Sequence, residues 1–177
     1  MEQGAGNAAD ARFKLEHHAK LGANWFFWIA GLSVVNSLIA MFSPTGGGFV
    51  FGLGITRVID AIGYGLSEEL GSAAKIAAFV LSLIPVGVFV VIGVFARKKY
   101  LWAFIVGMAL YAIDGLLFLL VKDWLSIGFH VFAIFCVLGG LKACIKLNAM
   151  LTREESTAEA VAQGGLEQAG ASEDADY

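Results

Sequence analysis

The sequence predicts an all-α protein, a four-helix transmembrane bundle with an N-terminal amphipathic helix and a short interfacial helix in the first external loop. Of the 177 residues, 58% are hydrophobic and only 15% are charged, and the mean hydropathy is +0.75, a composition unusual for a soluble domain. Most of the charged residues also cluster between four apolar runs. Each run is long enough to cross a hydrocarbon core of roughly 30 Å at about 1.5 Å per residue.

Composition divides the chain into three parts. Residues 1–21 are predicted to be a cytoplasmic N-terminal segment, helical from residue 7, with Asn7 as the capping residue. Residues 151–177 are predicted to be a disordered cytoplasmic tail, because the stretch from Glu154 to Asp176 holds seven acids and no base. Residues 22–150 form the membrane domain, with spans at about 22–42, 73–96, 101–121 and 125–147.

The connection between the first two spans, residues 43–72, has two different halves. Five glycines between positions 46 and 54 disfavour a helix in the first half, since each costs about 1 kcal/mol relative to alanine. In the second half apolar residues recur at helical spacing, which predicts an amphipathic helix too short to span and lying in the interface or capping the bundle. The alternative is a re-entrant loop, which would have to be buried in protein.

The distribution of basic residues predicts the orientation. Nine lysines and arginines fall on the side of the two chain termini and three fall on the other side. By the positive-inside rule both termini are expected in the cytoplasm, with the turn at Lys122 outside. The expected location is a cell membrane, as a multi-pass protein.

A polar cluster is predicted near the hairpin of the third and fourth spans, which only residues 122–124 connect. Counted from that turn, the depths of Asp114 and His130 differ by about 4 to 5 Å. An acid at the centre of a spanning helix costs about 2.5 to 3.5 kcal/mol and should therefore find a partner. Polar residues at comparable depth complete the predicted cluster, which consists of Asn36, Ser37, Ser82, Tyr111, Asp114 and His130.

Several roles are open for this cluster. The preferred interpretation is a non-enzymatic accessory or structural membrane protein in which Asp114 and His130 fix the rotation of two helices. A small transporter or channel component, passing protons or a small solute, is the first alternative. A membrane enzyme acting on lipid and a pocket for a ligand or lipid headgroup are the others. The sequence has no phosphate-binding loop or metalloprotease motif, so no catalytic residue, cofactor or metal site is predicted.

Other residues are predicted to shape the helices. Pro85, in the middle of the second span, should kink it, because proline removes a backbone hydrogen bond. A stripe of small residues on the fourth span should allow another helix to approach, within the bundle or in a homo-oligomer. Its members are Cys136, Gly139, Gly140, Ala143 and Cys144. The expected partner is the lipid bilayer, and nucleic acid is not expected because the chain lacks the basic surface required to bind it.

The third and fourth spans carry a recognisable pattern. It comprises Ala96-Arg-Lys-Lys-Tyr-Leu-Trp-Ala, Gly107-Met-Ala-Leu-Tyr-Ala-Ile-Asp114, Asp123-Trp, Phe129-His130 and Gly140-Leu-Lys-Ala. This pattern resembles one found in small bacterial integral membrane proteins of unknown function. The resemblance covers about 50 residues and implies a bacterial inner-membrane location but no activity.

Overall fold

The protein is helical throughout the part of the chain that can be described. A computed structural model describes residues 2–43 and 51–173, with side chains for residues 6–43 and 51–163. Within these ranges there are five helices and no strand, which confirms the all-α prediction. The helices are α1 (Glu2–Phe42), α2 (Gly54–Leu70), α3 (Ser72–Arg97), α4 (Leu101–Leu120) and α5 (Trp124–Glu173).

Four of the helices, α1, α3, α4 and α5, are long and apolar enough to cross a membrane. Much of their outward surface consists of large apolar side chains, as expected for a surface that faces lipid. The chain is therefore a multi-pass membrane protein built as a helical bundle. Its two termini lie at the same end of the bundle, since the Arg12 guanidinium on α1 is 3.7 Å from the Glu154 carboxylate on α5.

The centre of the bundle is formed by α1, which packs against both α5 and α3. Phe26 on α1 is completely buried, with its ring near those of Phe89 and Phe104. Gly22 and Gly140 meet where α1 crosses α5, and a Cβ on either glycine would overlap the Cα of the other. Because neither residue has a side chain, the two helix backbones touch at this crossing.

The helices α2 and α3 form an antiparallel hairpin around Gly71. This glycine has φ +67°, in the left-handed region that other residues adopt at a cost. Further along the hairpin, Gly63 lies against Ala74 and Ala78, with no room for a Cβ beside Ala78. The amphipathic helix predicted in this connection is present as α2, and its apolar stripe is exposed. Residues 46–48 of the predicted glycine-rich half lie outside the described residues.

The predicted N-terminal helix is present, but it is joined to the first span. The helix α1 runs from Glu2 to Phe42 without a break, so that Asn7 lies inside it and does not cap it. The boundary predicted at Gly22 is the point where the charged residues end and the apolar run begins. Here Gly22 serves the close approach of α5, so the first span continues directly into the preceding segment.

The prediction of a disordered C-terminal tail is wrong for most of its length. The helix α5 continues to Glu173, although residues 152–163 are exposed. Alanine, glutamate and glutamine, which are common in this extension, are good helix formers. The transmembrane part of α5 also removes the cost of nucleation, because the extension only adds turns to a helix that already exists. Residues 174–177 lie outside the described part.

The predicted small-residue stripe is used, with one exception. Gly140, Ala143 and Cys144 are buried, and the Cys144 thiol donates to the carbonyl oxygen of Lys99 at 3.2 Å. Cys136 is half-buried, and its carbonyl lies beside Gly22. Gly139 is exposed with no atom near its missing side chain, because it lies 100° around the helix from Gly140. The helix α3 continues through Pro85, and the kink there stays a prediction.

Candidate functional site

The carboxylate of Asp114 on α4 binds the amino end of α2. Its Oδ2 accepts a hydrogen bond from the Gly54 amide at 2.6 Å, and its Oδ1 accepts one from the Ile55 amide at 2.9 Å. The first amides of a helix have no partner within the helix, and a carboxylate normally satisfies them from the preceding residue. At α2 that position is Leu53, whose side chain has no acceptor. Asp114 therefore caps α2 from another helix.

The amide that precedes these two is also satisfied by a side chain. The Leu53 amide donates to the Ser33 hydroxyl on α1 at 2.8 Å, and Ser33 donates to the carbonyl of Ile29. Leu53, Gly54 and Thr56 are fully buried. Three successive amides, those of residues 53 to 55, are thus held by α1 and α4. The partial positive charge at the amino end of α2 also favours the negative charge of Asp114.

His130 on α5 is the third hydrogen-bond partner of Asp114. Its Nε2 lies 3.1 Å from Asp114 Oδ2, and its Nδ1 lies 2.8 Å from the carbonyl oxygen of Ser126. Since a carbonyl only accepts, Nδ1 must carry a proton. The contact with Asp114 then requires one further proton, which lies between His130 Nε2 and Asp114 Oδ2. His130 and Asp114 are 3% and 8% exposed, so this is a buried hydrogen-bonded pair.

The imidazole of His130 is fixed by its neighbours. The ring of Tyr111 stacks on it with centroids 4.1 Å apart and an angle of 14°, and Phe118 lies 5.1 Å away. Gly115 makes room, because a Cβ there would be 3.0 Å from the imidazole Cδ2. The sequence Asp114-Gly115 thus combines the charged partner with the space for the ring.

A second polar cluster centres on Asp60 of α2. Its Oδ2 accepts from the Ser37 hydroxyl at 2.6 Å, and its Oδ1 accepts from the Ser82 hydroxyl at 3.2 Å. Burial raises the pKa of Asp60, although both serine hydroxyls act in the opposite direction. This cluster ties α2 to α1 and α3, as Asp114 ties it to α4.

The six predicted residues are all buried, but they belong to different groups. Asp114, His130 and Tyr111 are in contact, whereas Ser37 and Ser82 surround Asp60. Asn36 joins neither group: its Oδ1 and the Tyr111 hydroxyl are buried without a hydrogen-bond partner among the described residues. Sequence reasoning missed Asp60 as a member of the cluster, and it missed the amides of α2, because backbone amides give no signal in a sequence.

The turn between α4 and α5 is linked to α2 as well. Asp123 caps α5, since its Oδ1 accepts from the Ser126 amide at 3.2 Å and its Oδ2 from the Ser126 hydroxyl at 2.8 Å. The same Oδ2 accepts from the Arg57 guanidinium of α2 at 3.1 Å, and this guanidinium also lies over the Phe118 ring. Asp123 therefore caps α5 and at the same time forms the ion pair that links this turn to α2.

We expect Asp123→Ala to lower the free energy of unfolding by about 1 kcal/mol, the typical effect of losing a helix cap. The loss of the Arg57 pair adds little, because the guanidinium is partly exposed. Chemical unfolding in detergent measures the change, with the exposed Glu155→Ala on the same helix as the control. Equal stabilities for the two variants would contradict the assignment of Asp123 as a cap.

The same residue predicts a dependence on pH. Burial raises the pKa of Asp123, but hydrogen bonds from Ser126 and the charge of Arg57 outweigh it, so that the pKa is lowered. The resulting stabilisation is complete above the ordinary aspartate pKa of about 3.9 and is lost as the pH falls through the lower pKa of the folded state. We expect Asp123→Asn to lose more stability at pH 6 than at pH 3, and an equal loss at both pH values would contradict the lowered pKa.

Comparison with protein-family models, with curated proteins and with solved structures finds no match to this chain. The resemblance to small bacterial membrane proteins therefore stays a prediction. Among the described residues, no three potential metal-binding side chains of histidine, cysteine or acidic residues are grouped closely enough to hold a metal ion. The described part of the chain contains the buried Asp114–His130 pair, the partly buried carboxylate of Asp60 between two serines, and a short helix that both of them hold.

Proposed function

We propose that this chain is a non-enzymatic membrane protein with an accessory or structural role, in which the Asp114–His130 pair holds α2 in the bundle. One observation carries the proposal: both oxygens of Asp114 and both ring nitrogens of His130 are occupied by partners within the chain. A general acid or base needs an atom that can reach a substrate. We call this role of the pair, in which Asp114 and His130 hold α2 in the bundle, a lock. The arrangement supports a lock more than it supports catalysis on lipid or passage of a solute.

The geometry also supports a re-entrant position for α2. Unsatisfied amides are costly within a bilayer, and three successive amides at the start of α2, those of residues 53 to 55, are satisfied by Ser33 and Asp114. The apolar stripe of α2, with Ile55, Val58 and Ile62, is exposed and would face lipid. In this arrangement α2 enters the outer leaflet beside α3 without crossing the membrane.

The proposed location is a bacterial inner membrane with both termini in the cytoplasm. The support is the excess of nine basic residues over three at the end of the bundle where the termini lie. Self-association stays a prediction, and the use of Gly140 and Cys144 inside the chain favours a role of the small-residue stripe within the bundle.

A double-mutant cycle tests the lock. Asp114→Asn, His130→Phe and the double variant are purified in detergent, and their free energies of unfolding are measured from about pH 5 to 8. A lock predicts a coupling of about 0.5 kcal/mol or more, because each variant alone leaves the other side chain without its partner. Additive effects would show that the pair contributes no coupling, and the proposal would fail.

The same variants distinguish a lock from a proton path and from an enzyme. In liposomes with an imposed pH gradient, we expect the wild type and Asp114→Asn to have equal, background proton flux. Wild-type flux that Asp114→Asn abolishes would favour a transporter or channel component. Turnover of liposome phospholipid that disappears in either single variant would favour an enzyme.

A further inference from the structure

A cavity of about 250 Å³ lies between α1, α2 and α4, beside the two polar clusters. Apolar side chains form much of its wall, including Val58, Leu117 and Val121. Val58 and Val121 are exposed on the outside of the bundle, where the surface faces lipid. The cavity therefore meets the apolar surroundings of the bundle on one side and polar side chains on the other.

The polar wall carries two opposite charges that do not pair with each other. Arg57 and Asp60 are three residues apart on α2, a spacing at which opposite charges commonly interact. Among the described residues, however, the ion pair of Arg57 is with Asp123, and the hydrogen bonds of Asp60 are with Ser37 and Ser82. The cavity wall thus has a cationic and an anionic group side by side on one helix face.

Both groups keep capacity for a further partner. A guanidinium has five N–H donors, and the ion pair of Arg57 with Asp123 is made through Nη1. A carboxylate can accept about four hydrogen bonds, and Asp60 accepts one at each oxygen. Asn36 also lines the cavity, and its buried Oδ1 has no donor among the described residues. Such an orphaned acceptor is costly unless something donates to it.

We propose that this cavity binds the headgroup of a zwitterionic phospholipid that has a primary ammonium, with Arg57 contacting the phosphate and with Asp60 and Asn36 accepting from the ammonium. A primary ammonium offers three donors, enough to reach both acceptors. The phosphate matches the donors of Arg57. The acyl chains leave past Val58 and Val121 into the bilayer.

Headgroups of other phospholipids fit this wall less well. A choline headgroup has the same charges but no N–H donor, so it makes neither the charge-assisted hydrogen bond to Asp60 nor the hydrogen bond to Asn36. A glycerol headgroup has hydroxyl donors but no positive charge to face Asp60. The expected preference is therefore for phosphatidylethanolamine over phosphatidylcholine by about tenfold, the discrimination that one charge-assisted hydrogen bond can supply.

Native mass spectrometry of the full chain in detergent tests the proposal with equimolar phosphatidylethanolamine, phosphatidylcholine and phosphatidylglycerol of identical acyl chains. We expect one phosphatidylethanolamine bound per chain, with the tenfold preference. Equal retention of the three lipids, or a preference for phosphatidylglycerol, would overturn the proposal. Glycerophosphoethanolamine, which has the same headgroup but no acyl chains, should not compete at the same concentration. Competition by it would show that the cavity binds a soluble headgroup compound and would overturn the proposal that a lipid is the occupant.

Variants connect the preference to the cavity. Asp60→Asn should remove the preference for phosphatidylethanolamine over phosphatidylcholine, so that the two lipids bind equally. Glu68→Gln should leave the preference unchanged, because Glu68 is an exposed acid elsewhere on the same helix. Should Asp60→Asn fail to fold, Ala61→Trp provides the second test, because Ala61 is exposed and lines the cavity. An unchanged preference in the folded variants would show that the lipid binds elsewhere.

Discussion

Replacing Asp114 with alanine is expected to lower the free energy of unfolding by about 3 to 5 kcal/mol, because it leaves three buried polar groups without a partner at once. These groups are the imidazole of His130 and the amides of Gly54 and Ile55. Unfolding by sodium dodecyl sulfate in mixed micelles, followed by circular dichroism, measures the loss.

The matched control for this variant is Asp10→Ala. Asp10 lies on the exposed surface of α1, where removal of an acid should change stability by less than about 0.5 kcal/mol. Hydrogen exchange supplies a second reading, because the loss of Asp114 should expose the first amides of α2 to exchange before the rest of the bundle. A small and uniform effect of Asp114→Ala would mean that α2 does not depend on this carboxylate.

Introducing leucine at Gly140 should destabilise the bundle by about 1 to 3 kcal/mol, in the range measured for overpacked interiors. At this position even a Cβ overlaps the Cα of Gly22, so that α1 and α5 would have to separate. The neighbouring Gly139→Leu is the control, since it adds the same side chain to the same helix at an exposed position with open space around it.

The pair of variants also separates two uses of the small-residue stripe. A crossing within the chain predicts that Gly140→Leu lowers stability and that Gly139→Leu does not, at any protein concentration. If the stripe served a homo-oligomer instead, Gly139→Leu would lower the oligomer fraction in cross-linking while leaving the stability of the monomer unchanged.

Hydropathy was sufficient to predict the four apolar helices. The length of each apolar segment matches the thickness of a bilayer, and most of the charged residues of the chain fall between these segments. The ends of the helices were less predictable. The composition changes from charged to apolar at Gly22, but such a change does not end a helix, and the contact of Gly22 with Gly140 leaves no local signal in the sequence. The extension of α5 beyond residue 150 was missed for a related reason, since propagation of a helix depends on what precedes it.

The polar cluster was predictable in part. A short hairpin fixes relative depth, and a buried charge requires a partner, so Asp114 and His130 could be paired by counting residues. The same counting placed Ser37 and Ser82 with them, because depth says nothing about position around the bundle. Asp60 could have been found from its acidic side chain on a helix beside two spans that carry serines. The hydrogen bond from the Gly54 amide to Asp114 could not have been predicted, since nearly every residue carries the same backbone donor.

The cap at the start of α2 also sets an order of events during biogenesis. Gly54 precedes its acceptor Asp114 by 60 residues, so α2 leaves the ribosome well before α4. At about 5 to 20 residues per second this interval lasts about 3 to 12 s. Bare amides are not tolerated in lipid. We therefore expect the newly made α2 to remain at the water boundary and to enter its final place only after α4 has been inserted.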